Sequence, residues 1–140
     1  MQPSMQRRCG CQRRVPSHAR CRNAGGIVAR NLLEGNQYTP NYTGIPSVVF
    51  TTPPLARVGL DEEAARAQGL HFRTHHEDTI DWYSSRRVAL PHAGYKILVE
   101  EGTDRILGAH LLGLHAEEVI NVFALAMHTG LRASDLKSMV

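Results

Sequence analysis

The sequence predicts an α+β fold: a small antiparallel sheet with helices packed on one face. Three observations lead there. Tyr95–Glu100 and Arg105–Leu112 are apolar runs joined by Glu101-Gly102-Thr103-Asp104, four turn residues that signal a β-hairpin. His115–Thr129 follows as a strongly apolar helical stretch, with Glu117 and Glu118 in its first turn and Gly130 beyond its end. Between residues 45 and 87, short β-branched runs alternate with short helical ones.

The elements follow in order. Residues 1–26 hold Arg7, Arg8, Arg13, Arg14, Arg20 and Arg22 and no acid, and are expected to form a disordered basic arm. Gly25-Gly26 marks its boundary, and 27–140 is the folded body. The chain carries net charge +3, yet 27–140 alone is at −3, so the basic character belongs to the arm. Val28–Leu33 suits a short helix ended by Gly35, and Asn36–Gly44 reads as loop. Ile45–Thr51 is a strand broken by Pro53-Pro54, and Leu55–Val58 a second extended piece. Asp61-Glu62-Glu63 opens a helix that stops at Gly69, whose φ freedom suits the C′ position. Leu70–Thr79 alternates as a strand, Asp81–Arg87 is an irregular connection with a turn of helix, and a last helix starts at Ala133.

Composition excludes several functions. No aromatic residue stands among the arginines of the arm to stack on bases, and no recognition motif accompanies them, so nucleic acid is not expected as a partner. No run approaches the ~20 apolar residues of a membrane span, and no secretory signal is visible, so no membrane partner and a cytoplasmic location are expected. An arginine-rich, acid-poor start also resembles a transit peptide. Cys9, Cys11 and Cys21 all lie in the arm. With His18 they have the donor types of a zinc site, but the Cys9-Gly-Cys11 spacing is too tight, and free thiols are the better reading. His71, His75 and His76 form no metal site either: an i, i+4 pair on a strand is ~13 Å apart, and adjacent residues point to opposite faces. No metal ligand is therefore assigned. His110 and His115 flank the turn into the long helix and suit hydrogen-bonding roles. Trp82 and Tyr83 read as packing.

The long helix is the informative element. At 100° per residue its apolar side chains cover an arc of about 260°, whereas a helix on one sheet face needs a stripe of only a little over ~100°. Each large apolar side chain left in water forgoes about 1.5–3 kcal/mol. Two covers fit the pattern: the last helix, or a second copy of the chain across a two-fold axis.

Four segments now resemble a known family. They are Ile45-Pro-Ser-Val-Val-Phe-Thr51, Pro53-Pro-Leu-Ala-Arg-Val-Gly59, Arg105-Ile-Leu-Gly-Ala-His-Leu-Leu-Gly113 and Ala116-Glu-Glu-Val-Ile-Asn121. In order and spacing they are similar to the C-terminal domain of the glutathione reductase, dihydrolipoamide dehydrogenase and mercuric reductase family, and Val28–Gly35 looks like the helix that enters that domain. The resemblance implies the α+β dimerisation-domain fold of FAD/NAD-linked reductases and a homodimer interface. It places Val119, Val122, Phe123, Ala126 and Met127 at that interface.

The parent enzymes use FAD and NAD(P)H, a Gly-rich nucleotide fingerprint and a Cys-x4-Cys pair. No G-x-G-x-x-G occurs here and no cysteines have that spacing. The family's His-Pro motif lies beyond the helix after Gly130, and the chain reaches only Val140, so the domain is expected to be truncated before it. No catalytic or cofactor-binding residue is assigned, and no cofactor is expected to be bound by this chain alone. The expected function is that of a dimerisation domain, as a fragment or remnant of such an oxidoreductase, inactive alone and pairing with itself or with a full-length relative. The alternative is a subunit of a split NAD(P)H-dependent flavin oxidoreductase, completed by a separate FAD/NAD-binding chain.

Overall fold

The computed structural model describes residues 18–39 and 44–139, with side chains from residue 25 onward. The chain divides between residues 41 and 42 into two units. The first contains α1 (His18–Glu34). Gly35 follows at φ +86°, the left-handed conformation that ends a helix most readily at glycine. A reciprocal pair closes the end: the Asn31 amide donates to the Tyr38 carbonyl and accepts from the Tyr38 N–H, both at 2.8 Å. The sequence places the helix start near Val28, with Gly25-Gly26 before it. In the structure the helix starts at His18 and runs through both glycines. Each glycine costs about 1 kcal/mol relative to alanine, a penalty that helix-favouring Ala24 and Ala29 on either side help to offset. The expected arm at 1–26 and the thiol reading of Cys9, Cys11 and Cys21 otherwise lie outside the described residues and side chains.

The second unit is built on a five-stranded antiparallel sheet, β1 (Ser47–Val49), β2 (Leu55–Gly59), β3 (Phe72–Asp78), β4 (Gly94–Glu100) and β5 (Ile106–Leu112), in the spatial order β1-β2-β5-β4-β3. The α+β class read from the sequence holds, and so does the β4–β5 hairpin. β1 is shorter than the expected 45–51, since Pro46 lacks an N–H and the Thr51 N–H turns back onto the Val49 carbonyl. Register Val58↔Ala109 and Ile97↔Ala109 brings Val58, Ala109 and Ile97 onto one face. There they meet Ala116, Ile120 and Ala124 of α4 (Ala116–Thr129), the main helix, in one apolar cluster.

Three short helices complete the unit: α2 (Glu62–Ala67), α3 (Tyr83–Arg87) and α5 (Ala133–Ser138). Asp61 caps α2 by accepting from the Ala64 N–H at 2.8 Å, and Gly69 follows at φ +68°. Lys96, on the sheet face opposite Ile97, donates to Glu62 at 3.1 Å, so α2 adds contacts on the side away from α4.

The sheet carries one irregularity. Leu98 pairs with Gly108 but Val99 with Ile106, so Leu107 has no partner on β4. Its carbonyl instead accepts from the Leu60 N–H at 2.9 Å. Leu60 therefore lies tight across β5, and a Cβ at Gly108 would stand 2.0 Å from the Leu60 oxygen. His110 closes the same strap, its Nε2 lying 3.2 Å from that oxygen. This is a structural role of the kind the sequence suggests for it.

Candidate association surface

Helix α4 starts after the Gly113–His115 turn and ends at Gly130, which adopts φ +75°. Its two sides differ sharply. Ala116, Ile120 and Ala124 are buried on the sheet, with Phe123 and Met127 partly buried beside them. On the other side Val119, Val122 and Leu125 are 45%, 53% and 61% exposed. α5 therefore does not cover this face.

The predicted interface residues separate accordingly. Val119 and Val122 face solvent and have area left to bury. Phe123 and Met127 already belong largely to the chain's own core. Ala126 is only 1% exposed, so it has nothing to offer a partner. Near it the chain turns back, the Gly130 and Leu131 N–H groups both donating to the Ala126 carbonyl. Leu125, outside the predicted set, is the most exposed apolar residue of the helix. The wheel could have found it, since Leu125 lies on the same apolar flank as Val122.

The polar groups at the start of α4 are incompletely paired. His115 sits in the left-handed region at φ +59° and makes no side-chain cap. Its Nδ1 is 4.0 Å from one Glu117 oxygen. The other Glu117 oxygen is buried without a hydrogen-bond partner. Glu118 is exposed.

An aromatic ledge stands on the same face. Tyr95 pairs across the sheet with Leu111, which packs against the α4 cluster, so Tyr95 points to the α4 side. The Trp82 ring rests on Tyr95, centroids 6.1 Å apart, and the Tyr95 hydroxyl donates to Glu77 at 2.8 Å. That bond and partial burial raise the Tyr95 hydroxyl above its ordinary pKa. Trp82 touches Tyr95 yet is 50% exposed, and Tyr83 is 82% exposed, so the packing role read for the pair from the sequence holds for neither in full. His71, His75 and His76 are exposed on or beside the edge strand β3, and no group of three metal-donor side chains forms among the described residues.

The sequence pattern described as the pyridine nucleotide-disulphide oxidoreductase dimerisation domain matches residues 45–140. The chain belongs to this family. Among family relatives, a 19.7 kDa protein of a mercuric resistance operon in Staphylococcus aureus is 40% identical over 114 residues, covering 81% of this chain and 63% of that protein. Human mitochondrial dihydrolipoyl dehydrogenase is 32% identical over 111 residues, 79% of this chain but 22% of the enzyme. Among solved structures, the HOCl-induced flavoprotein disulfide reductase RclA of Escherichia coli superposes with TM-score 0.69 at 31% identity, over 81% of this chain and 26% of the reductase. The chain therefore spans about a quarter of the family's enzymes that it matches, and that part is the dimerisation domain.

Proposed function

We propose that this domain associates into a homodimer through the outward side of α4, with Val119 and Val122 at the contact, Leu125 beside them, and Phe123 and Met127 backing them from the core. One observation carries the reading: a helix fully seated on its own sheet keeps three large apolar side chains in water on its other side. A two-fold contact would remove the remaining half of each from water, at about 1 kcal/mol per side chain. Ala126 is left out of the proposed contact because its area is already buried.

In this reading the chain supplies association, not electron transfer. FAD and NAD(P)H serve the longer flavoproteins of the family, and no residue of this chain is assigned to either. A full-length relative carrying the same domain is the second partner the surface would fit, for the same two-fold reason. No described helix is long and apolar enough to cross a membrane.

The test is molar mass by light scattering over a concentration series. A dimer that Val122→Asp converts to a folded monomer supports the proposal. A monomer at every concentration overturns it.

A further inference from the structure

Helix α1 carries an apolar side that its own unit leaves in water. At 100° per residue Val28, Leu32 and Leu33 fall within an arc of about 140°, with Ala29 between them and Arg30 and Glu34 opposite. All three large side chains are exposed, Leu33 by 86%. Tyr38 closes only the polar side: its hydroxyl donates to Glu34 at 2.8 Å, and the Arg30 guanidinium stands 5.7 Å from its ring centroid. A Cβ at Gly25 or Gly26 would meet nothing within 4 Å. Helices in proteins draw most of their stability from packing an amphipathic face, and a short helix alone in water is marginal even without glycine. A surface laid against Val28, Leu32 and Leu33 would supply what α1 lacks.

Charge selects the surface. Residues 1–34 hold seven arginines, no lysine and one acid, Glu34, for a net charge of +6. A second copy of α1 would bring the same positive charge against it. A nucleic acid would match the charge but has no place for the valine and the leucines. An acidic protein offers carboxylates in fixed positions, whereas these arginines are spread from Arg7 to Arg30 without a repeat. A fluid layer of anionic headgroups adjusts to such spacing, and the acyl boundary beneath it takes the apolar side chains. Such a contact needs no span, so the lack of a described helix able to cross a bilayer does not bear on it.

We propose that α1 lies on a membrane surface rich in anionic lipid, with Val28, Leu32 and Leu33 in the acyl boundary and the arginines of the first 30 residues drawn to the headgroups. An apolar face and a basic stretch are the two signals that a stable surface anchor combines. The contact is separate from the α4 association and does not rest on it.

The experiment is cosedimentation of the full chain with vesicles of phosphatidylcholine alone and of phosphatidylcholine mixed with phosphatidylserine, with circular dichroism confirming that each variant is folded. The chain should bind the mixed vesicles at least about tenfold more tightly than the neutral ones, and added salt should weaken the binding. Leu32→Gln with Leu33→Gln leaves the charge unchanged and should weaken it about tenfold. Arg20→Gln with Arg22→Gln keeps the apolar side and should weaken it about equally. No binding to the mixed vesicles, or equal binding to both kinds, overturns the proposal. Binding that the arginine pair lowers and the leucine pair leaves unchanged overturns it too, and marks the basic stretch as a binder of any polyanion.

Discussion

The Asp104 carboxylate, in the turn between β4 and β5, accepts a hydrogen bond from the Ser134 N–H at 2.8 Å and so caps the start of α5 from a distant part of the chain. The Asp104 carbonyl also accepts from the Ala133 N–H at 2.9 Å, and Arg73 of β3 pairs with the other carboxylate oxygen. A hairpin turn thereby holds a helix whose own residues give it no buried side chain. The Ser134 bond, with a smaller contribution from the Arg73 guanidinium, holds the Asp104 carboxyl below the usual carboxylate range.

That arrangement sets a pH dependence. The folded pKa lies below the unfolded one, so the folded state binds the proton less well. The stabilisation is complete above the unfolded value, about 4, and is lost as pH falls through the folded value. Amide protection of residues 133–138, relative to their intrinsic exchange rates, should fall on going from pH 7 toward pH 3. Asp104→Asn should show fast exchange already at pH 7. Equal protection of α5 in the variant and the wild type at pH 7 would remove Asp104 from this role.

Two glycine substitutions should separate contact from conformation. Gly108→Ala would place its Cβ 2.0 Å from the Leu60 oxygen, which is backbone and cannot swing away. It should cost about 3 kcal/mol, at the upper end of overpacking. Gly69→Ala meets nothing within 4 Å but must hold φ +68°, and should cost only about 1 kcal/mol. Urea denaturation measures both, and the order of the two losses is the check.

Ile120→Ala removes a fully buried side chain at the centre of the α4 cluster. A loss of about 2–5 kcal/mol is expected with the fold retained. Since Ile120 lies on the sheet side, this loss should appear equally at low protein concentration, where the dimer is dissociated.

Val122→Asp and Phe123→Asp, neighbours in sequence, should fail differently. Val122 is half in water, so its replacement should change stability at low protein concentration by no more than about 0.5 kcal/mol while abolishing association. Phe123 packs against the core, and a carboxylate there should lower the thermal midpoint at any concentration. Identical behaviour of the two variants would mean that α4 does not have the two distinct sides described.

Much of the fold was legible because local chemistry decides it. The Glu101–Asp104 turn could join only a hairpin, and acidic first turns and following glycines bounded α2 and α4 to within a residue. The start of α1 was not legible, since Gly25-Gly26 reads as a break unless the helix formers on both sides are weighed together. The burial of Ala126 within its own chain, 1% exposed, was not legible for a related reason. A helical wheel scores apolar character, and it cannot show where the chain turns back over the helix end.

The sequence by itself determined the α+β class, the family and the excess of apolar surface on α4, because periodicity, turn residues and ordered motifs are properties of neighbours along the chain. Which side of α4 remains in water was decided only by the tertiary structure. So were the strap that demands glycine at position 108, the reach of Asp104 to α5 and the contact of the Trp82 ring with Tyr95. Each of these depends on strand register and on contacts between residues far apart in sequence, and no local pattern encodes those distances.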